Sequence, residues 1–401
     1  MARPRTNWRE RAMEALIRTC GYASSVIVLL IVFFLFKEGL GLFAEEPIEE
    51  GYALGVAPSN PVERLSAAEV RAIHERSITN WREVGGEDLP IFLLNVDNLE
   101  SLVTEAQLGP DYVNLPSLIA RYTSEKPGIL LAFPKSYFPP SVKVLTLPNL
   151  GVGNFLSGKA WYPTATPSPE FGAWPLIAGT FLVTLGAILF ALPLGLAVAI
   201  YLAELANDRL RGILKPMVEL LAGIPSVVYG FFGLVVIVPQ IKALFNLDVG
   251  ETALAGSLML AIIALPTIIT VSEDAIRSVP QILRDASLGL GATHWQTITK
   301  VVVPYAISGI SAATILGVGR AVGETMTVLM VTGNAADPNV GFLKPVRTLS
   351  ATIAAELGEA PQGGLHYKAL FMVGCVLFVI TFGFNLLAET IAHRQKKALE
   401  G

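Results

Sequence analysis

The chain has 401 residues, of which 52% are hydrophobic and only 15% charged, with 29 Lys and Arg against 33 Asp and Glu for a net charge of −4. A soluble chain of this size carries about 25% charged residues, so the missing charge points to a membrane protein, and the acidic balance leaves no basic footprint for nucleic acid. Two cysteines, Cys20 and Cys375, sit at or inside apolar runs and the four histidines are scattered, which excludes a disulfide-framed secreted scaffold and a metal site.

Six charge-poor windows approach the roughly 20 apolar residues that a spanning helix needs. The first, 19–36, follows Arg3, Arg5, Arg9, Arg11 and Arg18; no small-residue cleavage site comes after it, so it reads as a retained helix and not a signal peptide. The second lies within 171–203, the third at 220–241 and the fourth at 252–272. The fifth starts near Val301, stays uncharged to Gly319 and continues through two charges; the sixth covers 369–388.

Between the first two windows, residues 45–169 are too many for a structureless loop and polar enough for a small folded α+β unit. A helix is expected over 65–76, with Ser66 as N-cap and Glu69 completing a capping box. Strand-like runs follow at 91–94, 129–133 and 142–147, and the Pro-rich stretch 162–169 reads as a linker into the second span.

Basic residues mark the sides that stay cytoplasmic. They occur at the N-terminus, at Arg209, Arg211 and Lys215, and in the tail at Arg394, Lys396 and Lys397 beside His393. Six spans with both termini cytoplasmic and the 45–169 insert outside satisfy every loop.

Arg320 and Glu324 are the charges inside the fifth window. An intramembrane charge costs roughly 2.5 to 3.5 kcal/mol on insertion scales, so it marks function by default. Four residues apart, the two share a helix face and can pair. Gly309, Ala313 and Gly317 fall with them within an arc of about 80°, giving a face that is small at one end and charged at the other. A guanidinium there would attract an oxyanion, with Glu324 limiting its dwell time; the competing reading is an ion pair that only fixes packing.

The loop between the fourth and fifth windows carries Asp285, Ala286, Ser287 and Gly291, then Pro304. Composition alone allows either a smooth helix that lies in another protein's groove or an ordinary amphipathic loop helix anchored by Trp295. The frame of these residues, with Val301 and Val303, resembles the EAA loop of binding-protein-dependent ABC importer permeases, with Asp for Glu and Ser for Ala. The runs AGIPSVVYGFFG at 222–233 and GVGRAVGETMTVLMVTGN at 317–334 are similar to permeases of the phosphate-specific (Pst) importer, PstC type, over about residues 155–392.

The resemblance implies an all-α polytopic membrane protein with six transmembrane helices of the type I ABC importer permease fold. It divides the chain into 1–44 with the first helix, the insert at 45–169, and a transmembrane domain at 170–401 with a coupling loop at 285–304. The implied function is import of inorganic phosphate across the bacterial inner membrane. The implied partners are a sister PstA-type permease, two copies of a cytoplasmic ATPase subunit that binds the ATP, and a phosphate-binding protein. Arg320 and Glu324 would then serve translocation, and Asp285, Ala286, Ser287, Gly291 and Pro304 the ATPase coupling.

Within the insert, LSAAEVRAIH at 65–74, ITNWREVGG at 78–86 and GILLAFPKSYFPPSVKVL at 128–145 resemble parts of phosphate-binding proteins. Their Gly/Ser-rich oxyanion cradle has no counterpart here, so the insert reads as a partial lobe that docks the binding protein, against a mere spacer. The chain has no P-loop, and it is expected to be no enzyme and to hold no cofactor. The alternatives are a permease for sulfate or molybdate, or an ion-coupled carrier or membrane sensor.

Overall fold

The computed structural model describes residues 8–48, 51–96, 98–99 and 103–400. Arg3 and Arg5, expected to orient the first span, lie outside them, as do the side chains of Arg9, Arg11, His393, Arg394, Lys396 and Lys397.

The first apolar run forms α1 (Trp8–Gly41), a helix longer than the 19–36 window because its basic first turns continue the same backbone. The segment that follows, expected as an insert, is built on a four-stranded mixed sheet. Its elements are β1 (Tyr52–Val56), α2 (Ala67–His74), β2 (Phe92–Asn95), α3 (Leu115–Glu125), β3 (Ile129–Pro134) and β4 (Lys143–Leu145). The spatial order is β2-β3-β1-β4, with β1 antiparallel to both β3 and β4 and β2 parallel to β3.

Strand β3 shows why both faces are covered. Leu130 and Ala132 point to one side with Leu54, Val70, Ile73 and Trp81, while Ile129, Leu131 and Phe133 point to the other with Leu94, Leu115 and Ile119. Side chains alternate across a strand, so a run that is apolar at every position needs a layer on each face, and α2 and α3 supply them. Helix α2 opens as expected: Ser66 caps the Glu69 amide and Glu69 returns the bond.

The Pro-rich stretch is not an open linker. Trp161–Tyr162 (β5) pairs antiparallel with Glu170–Phe171 (β6), closing a hairpin whose loop is pinned by the Ser168 hydroxyl on the Pro47 carbonyl at 2.6 Å.

Beyond the hairpin the chain is helical: α4 (Trp174–Ile200, continued by a wide turn to Leu205), α5 (Asp208–Ala222), α6 (Ser226–Phe245), α7 (Ala253–Arg277), α8 (Gln281–Gly289), α9 (His294–Tyr305), α10 (Ile307–Gly323), α11 (Met326–Val331), α12 (Leu349–Glu356) and α13 (Leu365–Glu400). Five helices among the described residues are long and apolar enough to cross a membrane, or six if α9 and α10, bent by 68° at Ala306, form one span. The third span begins at Ser226 rather than 220, because Gly223 and Pro225 end the amphipathic α5 and start a separate helix.

Helix α7 is the hub. Its small and β-branched residues, among them Ala255, Gly256, Ala261, Ala264 and Ile268, are buried against α4 and α10. Small residues let helices approach closely where lipid gives no hydrophobic drive. Helices α1 and α13 form a peripheral pair, stitched by edge-on rings at Phe34–Phe371 (5.5 Å) and Phe36–Phe378 (6.0 Å).

Candidate functional site

Arg320 lies in the last turn of α10, half-buried, and its Nη1 reaches Thr267 Oγ1 near the middle of α7 at 3.5 Å. The small residues of the expected face lie along the same seam. Ala313 is fully buried, a Cβ on Gly309 would come within 2.3 Å of Ala275 Cβ, and one on Gly317 within 2.7 Å of Ile268 Cγ1.

Glu324 is not on that face. The helix ends at Gly323, and Glu324 is extended (φ −69°, ψ 131°). Its carboxylate turns forward to accept the amides of Thr325 (3.2 Å) and Thr327 (3.5 Å) at the start of α11, where an acidic side chain satisfies free N–H groups and meets the positive end of the helix dipole. The expected Arg320–Glu324 ion pair is therefore absent, and neither residue takes part in an ion pair among the described residues. A glycine followed by an acid and a threonine is the sequence signal of this break.

The break is also held by α12, whose Ser350 hydroxyl donates to the Glu324 carbonyl at 2.9 Å. A cavity of about 450 Å³ opens beside it, lined by Gly323, Thr325, Ser350, Ile353 and Leu377 among others; Arg320 and Glu324 are not in its lining.

Asp285, Ala286 and Ser287 lie on α8, which has no buried residue. Asp285 accepts from Gln281 Nε2 at 3.1 Å, and Ser287 Oγ lies 2.9 Å from Thr297 Oγ1. Gly291 takes φ +88° at the turn between α8 and α9, a conformation that costs glycine nothing. Pro304 stands in the last turn of α9, just ahead of the bend. Beside these residues Leu290, Ile282 and Trp295 are 90%, 73% and 62% exposed, an apolar surface that the other described residues leave uncovered.

A family model described as a binding-protein-dependent transport system inner membrane component matches residues 191–397. The chain belongs to this family. Among relatives of this inner membrane component, the probable ABC transporter permease protein YqgH of Bacillus subtilis is 42% identical over 242 residues, 60% of this chain and 78% of that one. The phosphate transport system permease protein PstC of Mesorhizobium japonicum is 39% identical over 260 residues (60% and 78%), and that of Haemophilus influenzae 37% over 265 residues (61% and 82%).

One buried and two partly buried acids of this family member are not foreshadowed by the sequence reading. Glu204, at the end of α4, receives Arg284 of α8, with Nη2 at 2.7 Å and Nε at 3.2 and 3.4 Å from the carboxylate oxygens. Glu273 of α7, with no exposed side-chain surface, receives Arg211 (2.6 Å) and Lys215 (3.1 Å) from α5. Burial pushes the Lys215 pKa down, but its bonds to Glu273 and Asp274 outweigh this and hold it above the ordinary lysine value.

Glu356, at the end of α12, receives Arg347 Nη1 (2.5 Å), His366 Nε2 (2.9 Å) and Trp161 Nε1 (3.1 Å). Burial pushes its carboxyl up, but the His366 and Trp161 hydrogen bonds and the Arg347 charge hold it below the ordinary carboxylate value. An acid at the edge of an apolar stretch, with a basic residue elsewhere in the sequence, is the only signal these pairs leave.

Proposed function

We propose that this chain is the permease subunit of an ATP-driven importer that moves inorganic phosphate into the cell. The observation that carries the reading is Arg320, a half-buried guanidinium in the membrane part that hydrogen-bonds Thr267 and has no carboxylate partner among the described residues. A permanently protonated planar fork suits an oxyanion, and the relatives named as phosphate transport permeases point to which oxyanion.

Arg320 stabilises the passing anion. Glu324 does not balance that charge in this conformation; it fixes the broken end of α10 and the start of α11, so that the path is lined by irregular backbone held in protein. The seam of Gly309, Ala313 and Gly317 keeps α10 against α7. The exposed apolar surface around Asp285, Ala286, Ser287 and Gly291 is the seat of the cytoplasmic ATPase, of which two copies drive the assembly.

The basic α5 then faces the cytoplasm with both termini, and the insert faces outward, where it docks a phosphate-binding protein. A sister PstA-type permease completes the channel. Phosphate delivered from outside passes as ATP binding pulls on loop 285–304 and the spans rock between outward and inward access.

The test is ATP-dependent uptake of radiolabelled phosphate into vesicles holding the complete complex. Arg320→Gln, with assembly verified, is expected to lower uptake by about 100-fold, as for loss of one charge-stabilising group in a water-poor site. Undiminished uptake would take Arg320 off the path. Competition by sulfate and molybdate separates phosphate from other oxyanions.

A further inference from the structure

Helix α12 touches two distant features. At its first turn the Leu349 amide donates to Thr180 Oγ1 of α4 at 2.9 Å, and the buried Ser350 hydroxyl donates to the Glu324 carbonyl at 2.9 Å. Gly179, next to Thr180, lets the chain in: a Cβ there would stand 2.3 Å from the Arg347 carbonyl oxygen. At its last residue the Glu356 carboxylate, 14% exposed, gathers donors from three separate segments. They are Arg347 in the loop before α12, His366 at the start of α13, and Trp161 in the β5–β6 hairpin. Arg347 is itself fixed by Asn334, whose side-chain oxygen and carbonyl accept from its Nε at 2.9 and 3.1 Å.

The hairpin is in turn held by the insert. Arg71 of α2 donates to Glu170 at 2.9 Å and lies over the Tyr162 ring at 3.9 Å from its centroid. A continuous polar series therefore runs from α2 to the hairpin, to Glu356, along α12 and to the backbone at the α10–α11 break.

We propose that Glu356 is a positioning residue that transmits the placement of the insert to the broken helix at Glu324. A largely covered carboxylate that holds three donors resists losing one, so a shift of the hairpin either breaks the Trp161 bond or carries α12 with it. Helix α12 is one short rigid unit of about 12 Å, long enough to join the two levels and too short to bend. Docking on the insert thus moves the Ser350 hydroxyl, which holds the carbonyl of the residue at the break. The proposal rests on the reading that this break lies on the permeant's path, and adds which element sets its geometry.

The experiment is hydrogen–deuterium exchange on the complete complex in lipid nanodiscs, comparing wild type with Trp161→Phe, Ser350→Ala and Glu356→Gln. Trp161→Phe deletes the N–H while keeping an aromatic ring against Phe171. Exchange across residues 322–327 is expected to rise about five-fold in Trp161→Phe, at a distance from the substitution, with the α1–α13 pair unchanged. Stimulation of ATP hydrolysis by the phosphate-binding protein should fall several-fold in the same variant, with basal hydrolysis as in wild type.

Exchange over 322–327 that stays at the wild-type level in assembled Trp161→Phe overturns the proposal, even if stability falls locally around the hairpin. Should Glu356→Gln not assemble, Trp161→Phe and Ser350→Ala decide alone. Failure of the wild-type complex to take up phosphate refutes the transport reading and leaves the exchange result standing, so the two failures are distinct.

Discussion

Truncating Glu204 to alanine strands the Arg284 guanidinium, and the size of the effect can be worked from the geometry. The Arg284 and Glu204 side chains are 11% and 6% exposed, with the carboxylate met by Nη2 at 2.7 Å. At about 4 Å between charge centres and an effective dielectric constant near 20, the attraction is about 4 kcal/mol, little screened by solvent at this depth. Desolvation opposes it, so the pair is worth much less against two well-packed apolar residues than against the loss of one partner.

Glu204→Ala is accordingly expected to destabilise the chain by about 3–5 kcal/mol. Arg284→Ala should cost a similar amount, since it also takes away the donor to the Val279 carbonyl and one of the donors to the Ile276 carbonyl. The double variant should cost about 2–3 kcal/mol less than the two singles summed, because no charge is left buried alone. Denaturation of the purified protein in mixed micelles gives the cycle, and ATP consumed per phosphate imported gives the functional effect. Arg284 joins α8 to the ends of α4 and α7, so a loosened joint should raise that ratio. Additive single-variant costs, or an unchanged ratio in a destabilised Glu204→Ala complex, would refute the reasoning.

The α7–α10 seam gives a paired prediction on thermal stability. Gly309→Ala gains up to about 1 kcal/mol of helix propensity but drives its Cβ to 2.3 Å from Ala275 Cβ, an overpacking that costs about 1–3 kcal/mol, so its melting temperature should fall. Gly319→Ala meets its nearest neighbour, Asn385 Oδ1, at 3.9 Å and should melt at or above wild type; the reverse order would contradict the packing. Glu356 supplies a pH dependence: its carboxyl is held below the ordinary value, so its contribution is present above the unfolded pKa of about 4.5 and is lost as pH falls through the depressed folded value. Acid melting curves should therefore fall less steeply for Glu356→Gln than for wild type, and parallel curves would discount the cluster.

The spans were legible because the membrane imposes one rule on them: a charge-free run must satisfy its backbone as a helix. The α2 capping box was legible because Ser66 and Glu69 act within one turn. What escaped was non-local. Strand β1 pairs with Leu131 and Val144, far along the chain, and a five-residue apolar run carries no sign of partners that distant. The end of α10 was read through because Arg320 and Glu324 have helical spacing, and the competing signal, an acid that caps the next helix, is won only once the Thr325 and Thr327 amides are free. The β5–β6 pairing hid behind proline content, and α12 lies between the fifth and sixth windows, too short to register as a span. Glu204, Glu273 and Glu356 read as ordinary flanking acids, since nothing local tells a buried acid from a solvated one.

The entry and exit of the insert touch: the Ser168 hydroxyl bonds the Pro47 carbonyl, and Asn149 reaches back to Phe43. A module whose two ends meet occupies no more of its host than a tight turn does, so the ends of α1 and α4 need not move apart to admit it. The matched family region, 191–397, begins after it. Such a plug-in geometry would let evolution exchange the outer module while inheriting the membrane machinery, provided the β5–β6 hairpin that reaches Glu356 stays with the helices, and the Asn149–Phe43 closure marks residues 43 and 149 as cut points for building chimaeras between permeases.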